Sequence, residues 1–252
     1  DWKTIKKVLK DELPVSLDLN LKIAKKAYDE TGNALKVKRN SLSQKPLVSG
    51  NEAVALGALK AGLEAYIGYP MTPTTGILNY LASVAAENKL IVFQPENEIG
   101  VINTAAGLSF SGKRTMIGTS GGGFCLMNEA VSLTAQAEIP LVIVEGQRAG
   151  LSTGVPTYSG QSDLLHVLSS GHGDFTRFVS APGDAEEAFE LTGQALNIAW
   201  KYQIPAIVLS DKEICESTIS FNPKKIRETF LEKPDLWNKK GEYLSCLLYT
   251  SP

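Results

Sequence analysis

The chain has 252 residues, with 25 Lys+Arg against 27 Asp+Glu, a formal net charge of −2, 43% hydrophobic residues and 21% charged residues. That composition excludes a disordered or collagen-like chain, and the length suits one large domain, or one domain with a fragment of another. Three widely spaced cysteines (Cys125, Cys215, Cys246) and two histidines (His166, His172) argue against a disulfide framework and against a clustered-thiolate or multi-histidine metal centre built by this chain alone.

Residues 1–45 carry 11 basic and 6 acidic residues. Ile5, Leu9 and Leu13, then Leu19, Ile23 and Ala27, recur about one helical turn apart with lysines between them. This predicts amphipathic helices with a solvated basic face. Aromatic–basic interleaving is missing, so nucleic-acid binding is not expected. Residues 46–221 carry 8 basic and 17 acidic residues and 20 of the 22 glycines. Here helix and strand patterns alternate. Asn51 to Leu63 predicts a helix, 65–69 a strand, Thr74 to Ala86 a helix and 90–93 a strand. Glu98 to Phe110 predicts a helix, 114–119 a strand, and about Leu126 to Ala137 a helix after Ser-Gly-Gly-Gly-Phe. Residues 140–145 read as a strand buried on both faces, with Pro140 at its start. A Gly/Ser/Thr-rich loop at 149–160 precedes a helix at 161–169, a short strand within 175–180, a helix from Ala185 to Trp200 and a strand at 205–210. The alternation implies an α/β fold, a parallel sheet flanked by helices. Residues 222–252 carry 6 basic and 4 acidic residues. No apolar run reaches the roughly 18 residues of a membrane span, and no signal-peptide pattern opens the chain, so a cytoplasmic location is expected.

Ligands of such sheets bind beyond the carboxyl ends of the strands, which singles out four segments. In Tyr-Pro-Met-Thr-Pro-Thr-Thr (69–75), Pro70 and Pro73 stiffen the turn. They hold Thr72 at the mouth of the sheet, and either Thr72 or Thr74 can also cap the following helix. In 93–100, Glu96 and Glu98 stand at a helix start, where a carboxylate can cap the helix or face a ligand as a proton relay. In 119–124, three consecutive glycines permit either close backbone approach to a ligand or tight packing. The pattern is neither a dinucleotide fingerprint nor a P-loop. In 145–157, Arg148 follows a buried strand and can clamp a carboxylate or pair with Glu145 or Glu98. His166 and His172 read as packing residues and Cys125 as core.

Taken together and in order, Tyr-Pro-Met-Thr-Pro-Thr-Thr (69–75), Pro-Glu-Asn-Glu-Ile-Gly (95–100), the segments 119–131 and 138–150, and Ser-Thr-Gly-Val-Pro-Thr (152–157) resemble the α subunit of 2-oxoacid:ferredoxin oxidoreductases. The 2-oxoglutarate (KorA-like) type is the nearest, and the resemblance covers roughly 48–216. Two departures stand out: Ser-Gly-Gly-Gly where the family more often has Ser-Gly-Pro-Gly, and Gln-Arg-Ala-Gly-Leu-Ser-Thr-Gly where Gln-Arg-Gly-Gly-Pro-Ser-Thr-Gly is usual.

The resemblance implies the pyrimidine-binding domain fold of thiamine diphosphate enzymes over 46–221. It makes Glu98 the glutamate that hydrogen-bonds the aminopyrimidine, so that the imino nitrogen removes the thiazolium proton and the cofactor serves as electron sink for decarboxylation. It gives Thr72 and Arg148 to the 2-oxoacid, and Tyr69, Pro70, Thr72, Gly121 and Gly122 to cofactor contacts beside Glu98. The diphosphate, its Mg²⁺ and an iron–sulfur cluster would come from a β subunit, making a hetero-oligomer. Coenzyme A would accept the acyl group and ferredoxin the electrons. Residues 1–45 resemble the end of a γ domain, and 222–252 the start of a linker to a further domain. Residues 245–252 resemble a non-native tail. A lipoamide-linked dehydrogenase component and a non-catalytic assembly module remain the alternatives.

Overall fold

A computed structural model describes residues 1–31, 45–227 and 231–232. The chain divides into two units, 1–44 and 45–252. The proposed tail at 245–252 and most of the proposed linker lie outside the described residues.

In the first unit, helices α1 (Trp2–Glu12) and α2 (Leu17–Glu30) form a helical hairpin. The Asp1 carboxylate caps α1 by accepting from the Thr4 N–H at 2.8 Å. The Trp2 and Tyr28 rings meet at 5.7 Å. On α1 the expected Ile5 and Leu9 are half-buried. On α2 the expected stripe is the wrong one. Leu19 and Ile23 are 57% and 60% exposed, and Leu17, Leu21 and Ala24 are half-buried in their place. Both stripes satisfy helical spacing; the Trp2–Tyr28 contact fixes which one turns inward.

The second unit begins with strand β1 (Leu47–Ser49) and helix α3 (Gly50–Lys60). Ser49 and Glu52 form a reciprocal capping box that starts α3. Then follow β2 (Ala65–Gly68), α4 (Thr75–Asn88), β3 (Ile91–Phe93), α5 (Glu98–Phe110), β4 (Thr115–Thr119), α6 (Gly121–Gln136) and β5 (Leu141–Gln147). The unit continues through α7 (Leu164–Ser169), β6 (Phe178–Ser180), α8 (Ala185–Tyr202), β7 (Pro205–Asp211), α9 (Lys212–Glu216) and β8 (Thr218–Ser220). Six strands make one parallel sheet in the order β3-β2-β4-β5-β7-β6.

The centre of the sheet is its most apolar part. β5 and β7 pair from Leu141↔Pro205 to Gln147↔Asp211, and every residue of both strands is buried. Alternation along β5 sends Val142 and Val144 to a core under α3, α4 and α8, and Leu141 and Ile143 to a second core under α5, α6 and α7. Each aliphatic side chain so buried contributes roughly 1.5–3 kcal/mol. Two cores on opposite faces are why these strands read as continuous apolar runs.

The helices and strands expected from the sequence recur in the same order, α9 is an addition to them, and one boundary is corrected by more than a turn. Helix α6 begins at Gly121, not near Leu126. Glycine lowers helix propensity in a helix interior, but the glycines occupy the first turn, where their N–H groups have no intrahelical partner in any case. Strands β1 and β8 pair antiparallel, Leu47↔Ser220 to Ser49↔Thr218, and neither was predicted. Their three residues are too few to carry a period.

Candidate functional site

All six parallel strands point their carboxyl ends to one edge, and there the chain forms a cavity of about 710 Å³. Two walls enclose it. One comes from the first turns of α5 and α6, the other from the segment joining β5 to α7.

The α5 wall carries Glu98. Its helix is capped by Asn97, whose side chain accepts from Gly100 N–H at 2.9 Å. Glu98 is therefore relieved of the capping role that its position allows. It is 6% exposed and lines the cavity, with no hydrogen bond or ion pair to another side chain among the described residues. Glu96, two residues earlier, is exposed. Sequence position alone leaves these two carboxylates nearly equivalent; burial separates them.

The α6 wall brings Ser120, Gly121 and Gly122 to the same cavity. Ser120 is fully buried, and its hydroxyl has no hydrogen-bond partner among the described residues. Gly123 is required by close approach. A Cβ there would overlap Thr119 Oγ1 and lie 3.0 Å from Glu98 Oε1. The glycine run thus lets the α6 N-terminus pack directly on the Glu98 carboxylate. A Cβ at Gly121 would meet Asp163 Oδ2 at 2.6 Å, and one at Gly122 would meet the Ser152 carbonyl at 2.9 Å.

The second wall is tied down by Arg148. Its Nη1 donates to the Thr72 carbonyl at 2.8 Å, and its Nη2 donates to the Thr153 carbonyl. The guanidinium therefore joins the turn after β2 to the loop at 149–160. The expected salt bridge to Glu145 or Glu98 does not form among the described residues, because these two backbone carbonyls take its place. Of the five guanidinium N–H groups, three are left for a ligand. Inside the loop, Ala149 N–H donates to Tyr158 O at 3.1 Å and Val155 N–H to Ala149 O at 2.7 Å. Gly150 and Gly154 hold φ of +102° and +67°, conformations that glycine adopts freely.

The turn at 69–75 divides. Thr74 is buried, and its hydroxyl lies 3.1 Å from the Met71 carbonyl and 3.2 Å from that of Thr119. It therefore ties the turn to β4 rather than capping α4. The Thr72–Pro73 peptide is cis. Met71 lines the cavity. Thr72 is half-buried and connects to the site through its carbonyl, whereas Tyr69 and Pro70 are exposed.

The structure thus brings together Glu98, Arg148, Gly121 and Gly122, links Thr72 to them through Arg148, and leaves Tyr69 and Pro70 on the outer surface. It adds Met71, Ser120, Asp163, Cys125 and His166. Cys125 is exposed at the cavity and is not a core residue. His166 meets both Phe124 and Cys125, so packing describes only part of its environment. Glu145, near the carboxyl end of β5, is fully buried, and neither carboxyl oxygen has a hydrogen bond of normal geometry among the described residues. Burial, and then the nearby Asp163 carboxylate, push its pKa well above the usual carboxylate range. A strand-end glutamate beside a ligand cavity was visible in the sequence, but its burial was not.

A buried glutamate without a protein partner, an orphaned buried hydroxyl and an open helix N-terminus at one cavity suit a polar cofactor with a ring nitrogen. The comparisons agree with that chemistry. The family model described as pyruvate flavodoxin/ferredoxin oxidoreductase, thiamine diP-binding, matches residues 56–246. The 2-oxoglutarate synthase subunit KorA of Methanothermobacter thermautotrophicus is 39% identical over 171 residues, 68% of this chain and 46% of that protein. The α subunit of 2-oxoacid:ferredoxin oxidoreductase 2 of Aeropyrum pernix is 40% identical over 210 residues, 75% of this chain and 33% of that protein. Among solved structures, the 2-oxoglutarate:ferredoxin oxidoreductase of Magnetococcus marinus, with 2-oxoglutarate, coenzyme A and succinyl-CoA bound, aligns with a TM-score of 0.79 at 33% identity. That alignment covers 96% of this chain and 44% of the other. The chain spans half or less of the length of these relatives. With the sheet, the cavity and the family model in agreement, the chain belongs to the thiamine diphosphate-binding domain family of the pyruvate flavodoxin/ferredoxin oxidoreductases.

Proposed function

We propose that this chain supplies the pyrimidine-binding half of a thiamine diphosphate site in a 2-oxoacid:ferredoxin oxidoreductase. In this reading 2-oxoglutarate is the favoured substrate, coenzyme A the acyl acceptor and ferredoxin the electron acceptor. The observation that carries the reading is Glu98, buried in the first turn of α5 and facing the cavity without a protein partner. The names of the relatives and the ligands of the Magnetococcus enzyme support the substrate class.

When bound, thiamine diphosphate supplies a carbanion nucleophile and an electron sink for cleaving the bond between a carboxylate and its neighbouring carbonyl carbon. The chain's own residues have distinct tasks. Glu98 holds a proton against the aminopyrimidine ring nitrogen, and its burial keeps water from competing for that bond. Gly121, Gly122 and the Ser120 hydroxyl offer hydrogen-bonding groups at the α6 N-terminus. Arg148 directs its remaining N–H groups to the substrate carboxylate while its other two hold the cavity wall. Thr72 sits one hydrogen bond from Arg148 and offers its hydroxyl to the substrate oxygens. Tyr69 and Pro70 contact the cofactor from the outer rim.

A β subunit carries the diphosphate and Mg²⁺ site and the iron–sulfur cluster, so the active unit is a hetero-oligomer. The apolar rim of the cavity supports such a partner: Leu126 and Leu151, which line it, are 55% and 93% exposed.

The test is Glu98→Ala in the assembled complex. The expected result is a loss of at least ~100-fold in 2-oxoacid-dependent ferredoxin reduction with an unchanged melting temperature. Activity near the parent level would overturn the assignment.

A further inference from the structure

The chemistry above leaves Cys125 and His166 unused. Cys125 lies in the second turn of α6, and helical side chains lean toward the N-terminal end of their helix. Its Sγ stands 3.4 Å from His166 Nε2. The imidazole is held edge-on against Phe124, with ring centroids 5.3 Å apart and an interplanar angle of 79°. Both residues line the cavity, and Cys125 is exposed there. The orphaned, fully buried Ser120 hydroxyl belongs to the same wall and offers a polar contact to an incoming group.

Cys215 supplies the internal contrast. It is buried, its Sγ lies 3.4 Å from Ser210 Oγ, and burial pushes its thiol up to about 12. A thiolate, not a thiol, is the nucleophile, so a buried thiol without a base is inert. Cys125 differs in both respects: it is accessible, and a base stands within proton-transfer reach.

We propose that Cys125, with His166 as its base, is a thiol–disulfide exchange site that takes a low-molecular-weight disulfide into the cavity. His166 Nε2 removes the thiol proton as Sγ attacks one sulfur of R–S–S–R. The Cys125–S–S–R bond forms as the original S–S bond breaks. The leaving RS⁻ takes the proton from the imidazolium and departs as RSH. Cys125 is oxidised, half of the disulfide is reduced, and a free thiol reverses the step.

The test treats the full chain at neutral pH with hydroxyethyl disulfide and follows mixed-disulfide formation by intact mass, with peptide mapping to separate Cys125 from Cys215 and Cys246. Cys125 should label at least ~10-fold faster than Cys215 and be released by dithiothreitol. His166→Gln should slow labelling at Cys125 by at least ~10-fold. Equal labelling of Cys125 and Cys215, or an unchanged rate in His166→Gln, overturns the proposal. If that variant loses its fold, a peptide of residues 119–131 serves as reference, since it carries the thiol without the imidazole. Faster labelling of the folded chain than of the peptide supports the site, and an equal or slower rate overturns it. No turnover enters this readout, so its failure is separate from a failure of the Glu98 assignment.

Discussion

The two walls of the cavity are built on opposite principles. The α5–α6 wall is rigid: it consists of helix first turns, its close contacts are between buried groups, and its glycines exist to let backbone and carboxylate approach. The wall at 148–163 is largely loop, held by its own turns, by hydrogen bonds from Asp163 N–H to Gln147 and from Gln161 to Asp211, and by one guanidinium that bridges Thr72 and Thr153. A site that must hold one group at fixed geometry and admit another suits this division, with precision on helices and access on a loop.

The largest expected effect tests the rigid wall. Gly123→Ala places a methyl group against Thr119 Oγ1 and 3.0 Å from Glu98 Oε1, and should destabilise by ~1–3 kcal/mol. Gly107→Ala, on α5 with open space around it, should stabilise by up to ~1 kcal/mol through helix propensity. Chemical denaturation of the pair measures both signs. If Gly123→Ala is also stabilising, the tight approach at α6 is not a constraint.

The loop wall comes next. Arg148→Ala removes both tethers, so amide exchange across 149–160 should speed up by at least ~10-fold while α6 is unchanged. Equal protection in parent and variant would mean that the internal turns at Ala149 and Val155 suffice.

The smallest effect lies between the walls, at Glu145. Its folded pKa is raised above the ordinary 4.5, so over the interval between the two values the folded chain keeps a proton that the unfolded chain gives up. Stability therefore falls as pH rises through that window. Glu145→Gln should remove this slope, leaving the variant's melting temperature at least ~2 °C less sensitive than the parent's to a rise in pH above the ordinary carboxylate range. Parallel curves in calorimetry would show that the parent's carboxyl takes the same protonation state folded and unfolded.

The sequence reveals the rigid wall better than the loop wall, for physical reasons. Strands β5 and β7 announce themselves because burial on both faces demands unbroken apolar runs. Glu96 and Glu98 both stand out because a helix start and a strand end bracket them within a few residues, and burial then selects Glu98. Arg148 is identifiable as a site residue, but its two carbonyl partners are not, since backbone acceptors leave no mark on composition. Cys125 resembles a core residue because its neighbours Phe124 and Met127 are core residues; only the rotation of α6 tells them apart. Asp163 escapes notice and His166 reads only as packing, because the segment between β5 and α7 that brings them to α6 carries no periodic pattern. On α2, Leu19 and Leu17 lie on equally plausible stripes, and one aromatic contact decides between them.

The short β1–β8 ribbon has a mechanical consequence. Leu47 pairs with Ser220, and the Phe221 N–H donates to the Pro46 carbonyl at 2.8 Å, so the segment before α3 and the segment after α9 run side by side. Tension applied through residues 46 and 221 would load this ribbon at one end and open it bond by bond, like a zip. The six parallel strands behind it would feel little of that load until the ribbon had parted. Beyond the ribbon the chain stays on the domain: the Asn222 N–H donates to Glu186 Oε1 at 3.0 Å, and the Glu232 carbonyl accepts from Arg114 Nη1 at 2.9 Å. A pull from the carboxyl-terminal side therefore has to strip these contacts before it reaches the ribbon.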